Sequence, residues 1–435
     1  MTKKENGVSR RRFIQDAAAA GAVAATAGLA QVESSPAAQA QAREAAQFRP
    51  RGRLRQRPNF LLILSDEYRF PVVYESAQLR EFRARHLTAE ESLRDDGLEF
   101  TSHYVMSAAC VPSRASIFTG QYPSLHGVSQ TSGAAKGTFE QDMYWLDPNT
   151  VPTMGEYFRA GGYETYYKGK WHISDADILI PGTHTPVLSF DDKGIPDPQV
   201  EAAYLAADRL GEFGFSGWIG PEPEGSNPLN SASSAAGAIG RDEKFATQTV
   251  DLLHELSTRD GRARPWLAVS SFLNVHDITV WGAATLNSPS WNLRGQLDGS
   301  AVPHRLFDPA QYAATTHEDL AGKPACQSNY VQRYPQIFQQ LRNTLEYRRF
   351  YYQLQQNVND QIQRVLDALS AHPDMAANTI VIFTSDHGEL LGAHGGMFQK
   401  WHQAYEESSH VPFIMHNPVL FTGRQSLDGL TSHAD

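Results

Sequence analysis

Asn59 to Ser65 reads NFLLILS, and the acidic pair Asp66-Glu67 follows at once. A continuous apolar run leaves neither face of this segment suited to water, as expected for a parallel strand covered on both sides. The same form returns at Asn378 to Ser385, NTIVIFTS, which runs into Asp386-His387-Gly388. Trp266 to Leu273, WLAVSSFL, leads into Asn274-Val275-His276-Asp277, and Pro412 to Met415 adds a short apolar run. Between these, Leu354, Val358, Ile362, Val365 and Leu369 recur every three or four residues, and Ala246, Val250 and Leu253 mark a similar stripe within Glu243 to Leu256. Such stripes predict helices whose apolar side belongs to the core. The alternation of helices with parallel strands gives an α/β fold, and three strands end in polar, ligand-type residues. Open α/β sheets bind ligands beyond the carboxyl ends of their strands, so this placement marks a site.

Two stretches, roughly Ile180 to Gly240 and Thr279 to Tyr330, are rich in glycine, proline or serine and read as long loops or insertions on the rim of a substrate pocket. At the other end, Ser9-Arg10-Arg11-Arg12-Phe13-Ile14-Gln15 has the twin-arginine export form, and the alanine-rich Ala17 to Ala30 is too short and mild to span a membrane. Small residues at Ala38-Gln39-Ala40 and Ala40-Gln41-Ala42 offer cleavage sites. Residues 1–42 are thus expected to be a signal peptide for the twin-arginine translocase. The mature protein is expected in the periplasm or outside the cell, with no stable membrane anchor.

Arg43, Arg49, Arg51, Arg53, Arg55 and Arg57 make residues 43–57 a basic linker. The formal charge of −10 therefore conceals an asymmetry: beyond Pro58 there are 27 basic against 44 acidic residues. A body so acidic repels a phosphate backbone, which excludes nucleic acid as a partner. The only cysteines, Cys110 and Cys326, are far apart and build no disulfide framework.

The most specific stretch is Cys110-Val111-Pro112-Ser113-Arg114-Ala115-Ser116-Ile117-Phe118-Thr119-Gly120. It resembles the type I sulfatase signature, C-x-P-S-R followed by T-G. Gly162 to His172, which ends in Gly169-Lys170-Trp171-His172, resembles the second signature of that family. The resemblance extends to the strand-end acids, to Asp386-His387-Gly388-Glu389 and to Lys400 through Pro412, and so covers about Pro58 to the C-terminus. It implies an alkaline-phosphatase-like fold, a large and mostly parallel mixed sheet sandwiched between helices. Residues 58–435 would be the catalytic domain. The chain stops at Ser432-His433-Ala434-Asp435, where relatives continue into a small C-terminal subdomain, so that subdomain is expected to be missing.

The resemblance also implies a chemistry. Cys110 is oxidised by a formylglycine-generating maturation enzyme, and the aldehyde, once hydrated, offers two hydroxyls on one carbon. One attacks sulfur; the other, once deprotonated, expels sulfate, so a hard displacement becomes two easier steps. A divalent cation is needed to stabilise the alkoxide. Asp66, Glu67, Asp386 and His387 match the family's metal positions, with residue 110 completing the shell. Oxygen-rich ligation favours calcium, the family's usual ion, with magnesium or manganese as alternatives. Glu67 stands where many relatives have aspartate, and His387 where many have asparagine. By the same resemblance Arg114 holds the aldehyde hydrate and the acids, Lys170 and Lys400 clasp sulfate oxygens, and His172 is a base. His276 binds sulfate and helps protonate the leaving group, as suits an imidazole with an ordinary pKa of ~6.5. Lys168, His402 and His410 lie near these motifs as weaker candidates.

The expected reaction is hydrolysis of a small-molecule or saccharide sulfate ester to an alcohol and inorganic sulfate. A phosphonate monoester or phosphodiester hydrolase with the same site is the enzymatic alternative. An inactive sulfatase-like binding protein is the alternative of another class, motivated by the shortened C-terminus. Gly388 to Gly395 is glycine-rich but lacks the lysine and hydroxyl spacing of a nucleotide-binding loop.

Overall fold

The computed structural model describes residues 52–54, 56–133, 136–223, 231–233, 239–259, 263–280, 302–337 and 344–435. The leader, most of the basic linker and parts of both expected insertions lie outside the described residues.

A seven-stranded sheet has the order β4-β5-β1-β6-β7-β2-β8. Its members are β1 (Asn59–Ser65), β2 (Gly97–Phe100), β4 (Glu164–Gly169), β5 (Trp266–Ser271), β6 (Thr379–Ser385), β7 (Phe413–His416) and β8 (Gln425–Leu427). Strands β4, β5, β1 and β6 are mutually parallel, with Leu62 opposite Val269 and Ile382, while β7 runs antiparallel to β6 and β2. A separate pair joins β3 (His103–Tyr104) to β9 (Thr431–Ser432).

The unbroken apolar run of β1 is explained by burial on both faces. Leu61 and Ile63 pack in one core with Leu253, Val358 and Ile362, whereas Leu62 and Leu64 pack in the other with Val111, Ala115 and Phe118. The two-residue period of a strand sends alternate side chains to opposite layers. One layer contains α1 (Ala77–His86), α2 (Thr88–Asp95), α6 (Arg241–Ser257) and the long α9 (Thr344–Ser370); the other contains α3 (Cys110–Thr119) and α4 (Met154–Ala160). The expected helical stripes at 243–256 and 354–369 thus fall inside α6 and α9. Strand β4 is not evident as an apolar run, because ETYYKG alternates half-buried and buried side chains along an edge strand.

Both expected long loops contain helices. The first holds α5 (Pro198–Ala207), and the second α7 (Pro309–Thr316) and α8 (Ala325–Ile337). The Asp197 carboxylate accepts from the backbone N–H of Gln199 and Val200, and Asp308 from Ala310, each with proline at the next position. An Asp-Pro pair is a helix-start signal that the glycine- and serine-rich composition obscured.

Candidate active site

Four parallel strands deliver their carboxyl ends to one edge of the sheet. Asp66 and Glu67 follow β1, Lys170 and His172 follow β4, His276 follows β5, and Asp386 and His387 follow β6. Cys110 is the first residue of α3, and Arg114, one turn later, lies on the same helical face. Pro112 is tolerated because the first helical turn has backbone N–H groups without intrahelical partners.

Asp66, Cys110, Asp386 and His387 are buried, and each offers one ligand atom within 4.8 Å of the others. His387 Nδ1 lies 3.1 Å from the Gly388 carbonyl and must donate to it, so Nε2 carries the lone pair. That lone pair faces Cys110 Sγ at 3.1 Å and the Oδ1 atoms of Asp66 and Asp386 at 3.6 Å each. Asp66 Oδ1 is buried without a hydrogen-bond partner. Converging acceptors in a buried cluster fit a hard divalent cation. As a thiol, Cys110 is pushed up to about 12, by burial first and then by Asp66.

Glu67 lies outside this group of four. It belongs to a second group with Asp66 and His276, and its Oε2 is 2.9 Å from Lys400 Nζ. Burial and the nearby Glu389 disfavour its charge, and the Lys400 ammonium opposes both, which makes Glu67 that lysine's counter-ion. Glu67 has left-handed backbone (φ 63°), and its carboxylate meets Lys400 rather than joining the group of four.

Arg114 is fully buried and spans the site. Its NH1 donates to Asp386 Oδ2 at 3.1 Å, its Nε to the Trp171 carbonyl at 2.9 Å, and its NH2 to Ser271 Oγ at 2.5 Å and to the Lys170 carbonyl. Lys170 Nζ is 2.7 Å from Asp66 Oδ2. Burial pushes Asp66 toward neutrality, but the Lys170 and Arg114 cations outweigh it and hold the carboxyl well below its usual range. For Lys170 and Lys400, burial works against the charge and is overcome by Asp66 and Glu67 respectively, so both stay protonated. His276 is driven well below its ordinary pKa, by burial first and then by Lys170. It is therefore held as a neutral imidazole. His172 Nε2 is 2.9 Å from Ser132 Oγ, and its backbone N–H donates to Glu222 Oε1 at 2.8 Å.

The weaker candidates are not drawn into the site. Lys168 Nζ donates to the Gly217 carbonyl at 2.6 Å, His402 is exposed, and His410 bonds Glu406 and the Thr101 carbonyl while stacking on Phe70. Cys326 is exposed on α8.

Two buried acids that sequence patterns did not single out support the site. Glu389 Oε1 accepts from the N–H of Gln399 at 2.7 Å and of Leu391 at 3.0 Å, fixing the base of the loop that carries Lys400. Asp242 accepts from the N–H of Leu273 at 2.7 Å and of Asn274 at 3.0 Å, fixing the turn that carries His276. Only the position of Glu389, directly after Asp386-His387-Gly388, hinted at a role. Asp242 is pushed up to about 7 by burial, in spite of those two bonds. Its folded pKa exceeds the unfolded value of ~3.9, so the native state binds more protons and loses stability as pH rises from ~4 to 7. Asp242→Asn lacks this dependence but cannot accept both N–H groups. It should be less stable than wild type by about 1–3 kcal/mol at pH 5 in urea unfolding, with the gap narrowing at pH 7.5. A gap that widens with pH would contradict the assignment.

The Sulfatase family model matches residues 58–435. The chain belongs to the sulfatase family. It is 30% identical over 392 residues to the uncharacterized sulfatase YidJ of Escherichia coli (strain K12), covering 87% of this chain and 66% of that protein. It is 24% identical over 382 residues to the choline-sulfatase of Rhizobium meliloti (strain 1021), covering 84% of this chain and 64% of the relative. This sulfatase-family chain therefore spans just under two thirds of the length of these relatives. Among solved structures, a sulfatase yidJ from Bacteroides fragilis aligns with TM-score 0.54 at 19% identity, over 87% of this chain and 71% of that one. The phosphonate monoester hydrolase of Agrobacterium radiobacter aligns with TM-score 0.53 at 20% identity, over 87% and 72%. Both likenesses establish the alkaline-phosphatase-like fold of this sulfatase-family member.

Proposed function

We propose that this protein hydrolyses an organic sulfate monoester to an alcohol and inorganic sulfate, using a formylglycine derived from Cys110. The observation that carries the reading is the position of Cys110. Its side chain enters a buried carboxylate and imidazole cluster, and Lys170 and Lys400 flank that cluster. Asp66, Asp386, His387 and the residue 110 side chain would hold a divalent cation, with calcium favoured by the oxygen donors and manganese compatible with the imidazole. Such a cation, when bound, supplies charge stabilisation for an oxygen nucleophile at residue 110.

The remaining work falls to this chain's own groups. Arg114 neutralises Asp386 and locks α3 against the β4 turn, which aims residue 110. Lys170 and Lys400 are protonated and dehydrated, so both can bind sulfate oxygens without solvent reorganisation. His172 would act as the base toward the hydroxyl left at residue 110. His276 starts as a neutral imidazole, kept so by burial and by Lys170; a sulfate anion placed between the two lysines offsets the repulsion, so the ring takes up a proton from solvent as substrate binds and passes it to the leaving oxygen. The twin-arginine leader adds that the enzyme acts after export, on substrates outside the cytoplasm.

Two measurements test this. Mass spectrometry of the peptide containing Cys110, from a host with the maturation enzyme, should reveal the thiol-to-aldehyde mass change. Turnover of an aryl sulfate should exceed that of the matching aryl phosphonate and phosphodiester. An unmodified cysteine, or a large phosphonate preference, would sink the proposal.

A further inference from the structure

His394 sits at the tip of a hairpin that returns to Lys400. Leu390 N–H donates to the Gln399 carbonyl at 3.0 Å, and Gly392 N–H to the Met397 carbonyl at 2.7 Å, so residues 390–399 form a closed loop whose exit is Lys400. At the tip, Gly392, Gly395 and Gly396 all have positive φ, as glycine readily does. His394 shares that left-handed backbone (φ 51°) at a cost glycine would avoid, so its side chain must compensate.

The imidazole is held on three sides. Nδ1 is 2.7 Å from Glu318 Oε2, Nε2 is 3.0 Å from Glu407 Oε2, and the Tyr405 ring stacks on it at 3.5 Å. Glu318 belongs to the insertion that includes α7 and α8. Glu407 follows Tyr405 in the segment before β7. Because a carboxylate only accepts, both bonds can form only when both ring nitrogens carry protons. Lys323 pairs with Glu318 and donates to Tyr405 Oη at 2.8 Å, and Tyr74 Oη donates to Glu407 Oε1 at 2.6 Å. A further strap runs from Tyr330 Oη to the Phe398 carbonyl at 2.6 Å.

We propose that His394 is a positioning residue, a doubly protonated latch that ties the segment from Glu318 to Tyr334 onto the hairpin leading to Lys400. The facing groups are Glu318, Lys323, Tyr405, Glu407 and Tyr74. Burial works against the charged imidazole, but Glu407 and Glu318 outweigh it and raise its pKa above the ordinary value. Glu407 is held down to about 2 against burial by His394 and Tyr74; Glu318 is lowered chiefly by Lys323. Of His394 and its two carboxylate partners, therefore, only His394 changes charge through the neutral range. As pH rises through its raised pKa, one ring nitrogen turns from donor to acceptor and opposes a carboxylate. The latch opens, and Lys400 loses its restraint. The consequence for Lys400 rests on the sulfatase reading; the latch does not.

The test is hydrogen–deuterium exchange across residues 318–334 in wild type and His394→Asn. Asparagine tolerates left-handed backbone and lacks the charge. At pH 5 the variant should exchange about 10-fold faster than wild type, and at pH 9 the two should match. Glu318→Gln, at a half-buried carboxylate, should reproduce the pH 5 increase. Equal variant-to-wild-type ratios at both pH values would overturn the latch. For an aryl sulfate, the KM of His394→Asn should be about three- to tenfold higher than wild type at pH 5 and equal at pH 9, with kcat nearly unchanged. An unchanged KM at pH 5 alongside altered exchange would refute the link to Lys400. A wild-type enzyme that turns over no sulfate ester would refute the sulfatase reading and leave the exchange result to decide the latch.

Discussion

Cys110→Ala is expected to lower sulfate ester turnover by about 10⁴-fold or more, because it removes the nucleophile and one side of the cation cluster together. Its thermal unfolding should shift little, since the thiol makes one contact of hydrogen-bond length, with His387, and alanine suits the helix. Cys110→Ser makes the sharper experiment. Serine offers one hydroxyl where a hydrated aldehyde offers two. It can accept the sulfuryl group but has no second hydroxyl to expel it. The serine variant should release at most about one equivalent of alcohol per enzyme and then stop, as expected when a covalent intermediate accumulates. Continuous turnover by either variant, measured by alcohol release, would rule out a formylglycine nucleophile.

Arg114→Met is expected to cost stability and activity at once. The guanidinium is fully buried, and it joins α3 to Asp386, to the backbone of the β4 turn and to Ser271 at the end of β5. Methionine fills much of the volume but leaves Asp386 with an uncompensated buried charge and two carbonyls without their donor. Removing one partner of a buried pair costs about 3–5 kcal/mol, read as a lower urea midpoint. Losing the group that aims residue 110 should lower kcat/KM by about 10²-fold or more. Arg114→Lys should recover less than half of the stability, because one ammonium cannot reach the separate acceptors that a planar fork spans. Full recovery by lysine would mean that charge alone matters at this position.

How much was legible beforehand differs from residue to residue. The buried strands β1, β5 and β6 were readable because parallel strands covered on both faces need unbroken apolar runs. Cys110 and Arg114 were readable as partners because a four-residue spacing on a helix puts both on one face. Strand β4 was not, since an edge strand alternates and its motif residues masked it. The helices α5, α7 and α8 were missed in favour of loops, although Asp197-Pro198 and Asp308-Pro309 are ordinary helix starts. Asp242 and Glu389 carried almost no signal: their roles depend on backbone N–H groups 31 and 10 residues away.

The sequence by itself determined the family, the α/β class and the set of chemical groups at the site, because those depend on local periodicity and on contiguous motifs. Only the tertiary structure decided how that set divides. It gathers Asp66, Cys110, Asp386 and His387 into one cluster, turns Glu67 toward Lys400, and seats His394 between two carboxylates drawn from distant segments. A carboxylate becomes a cation ligand or a lysine's counter-ion through differences of a few ångströms. Those distances are set by where the parallel strands end and by how their loops are braced, not by the order of residues along the chain.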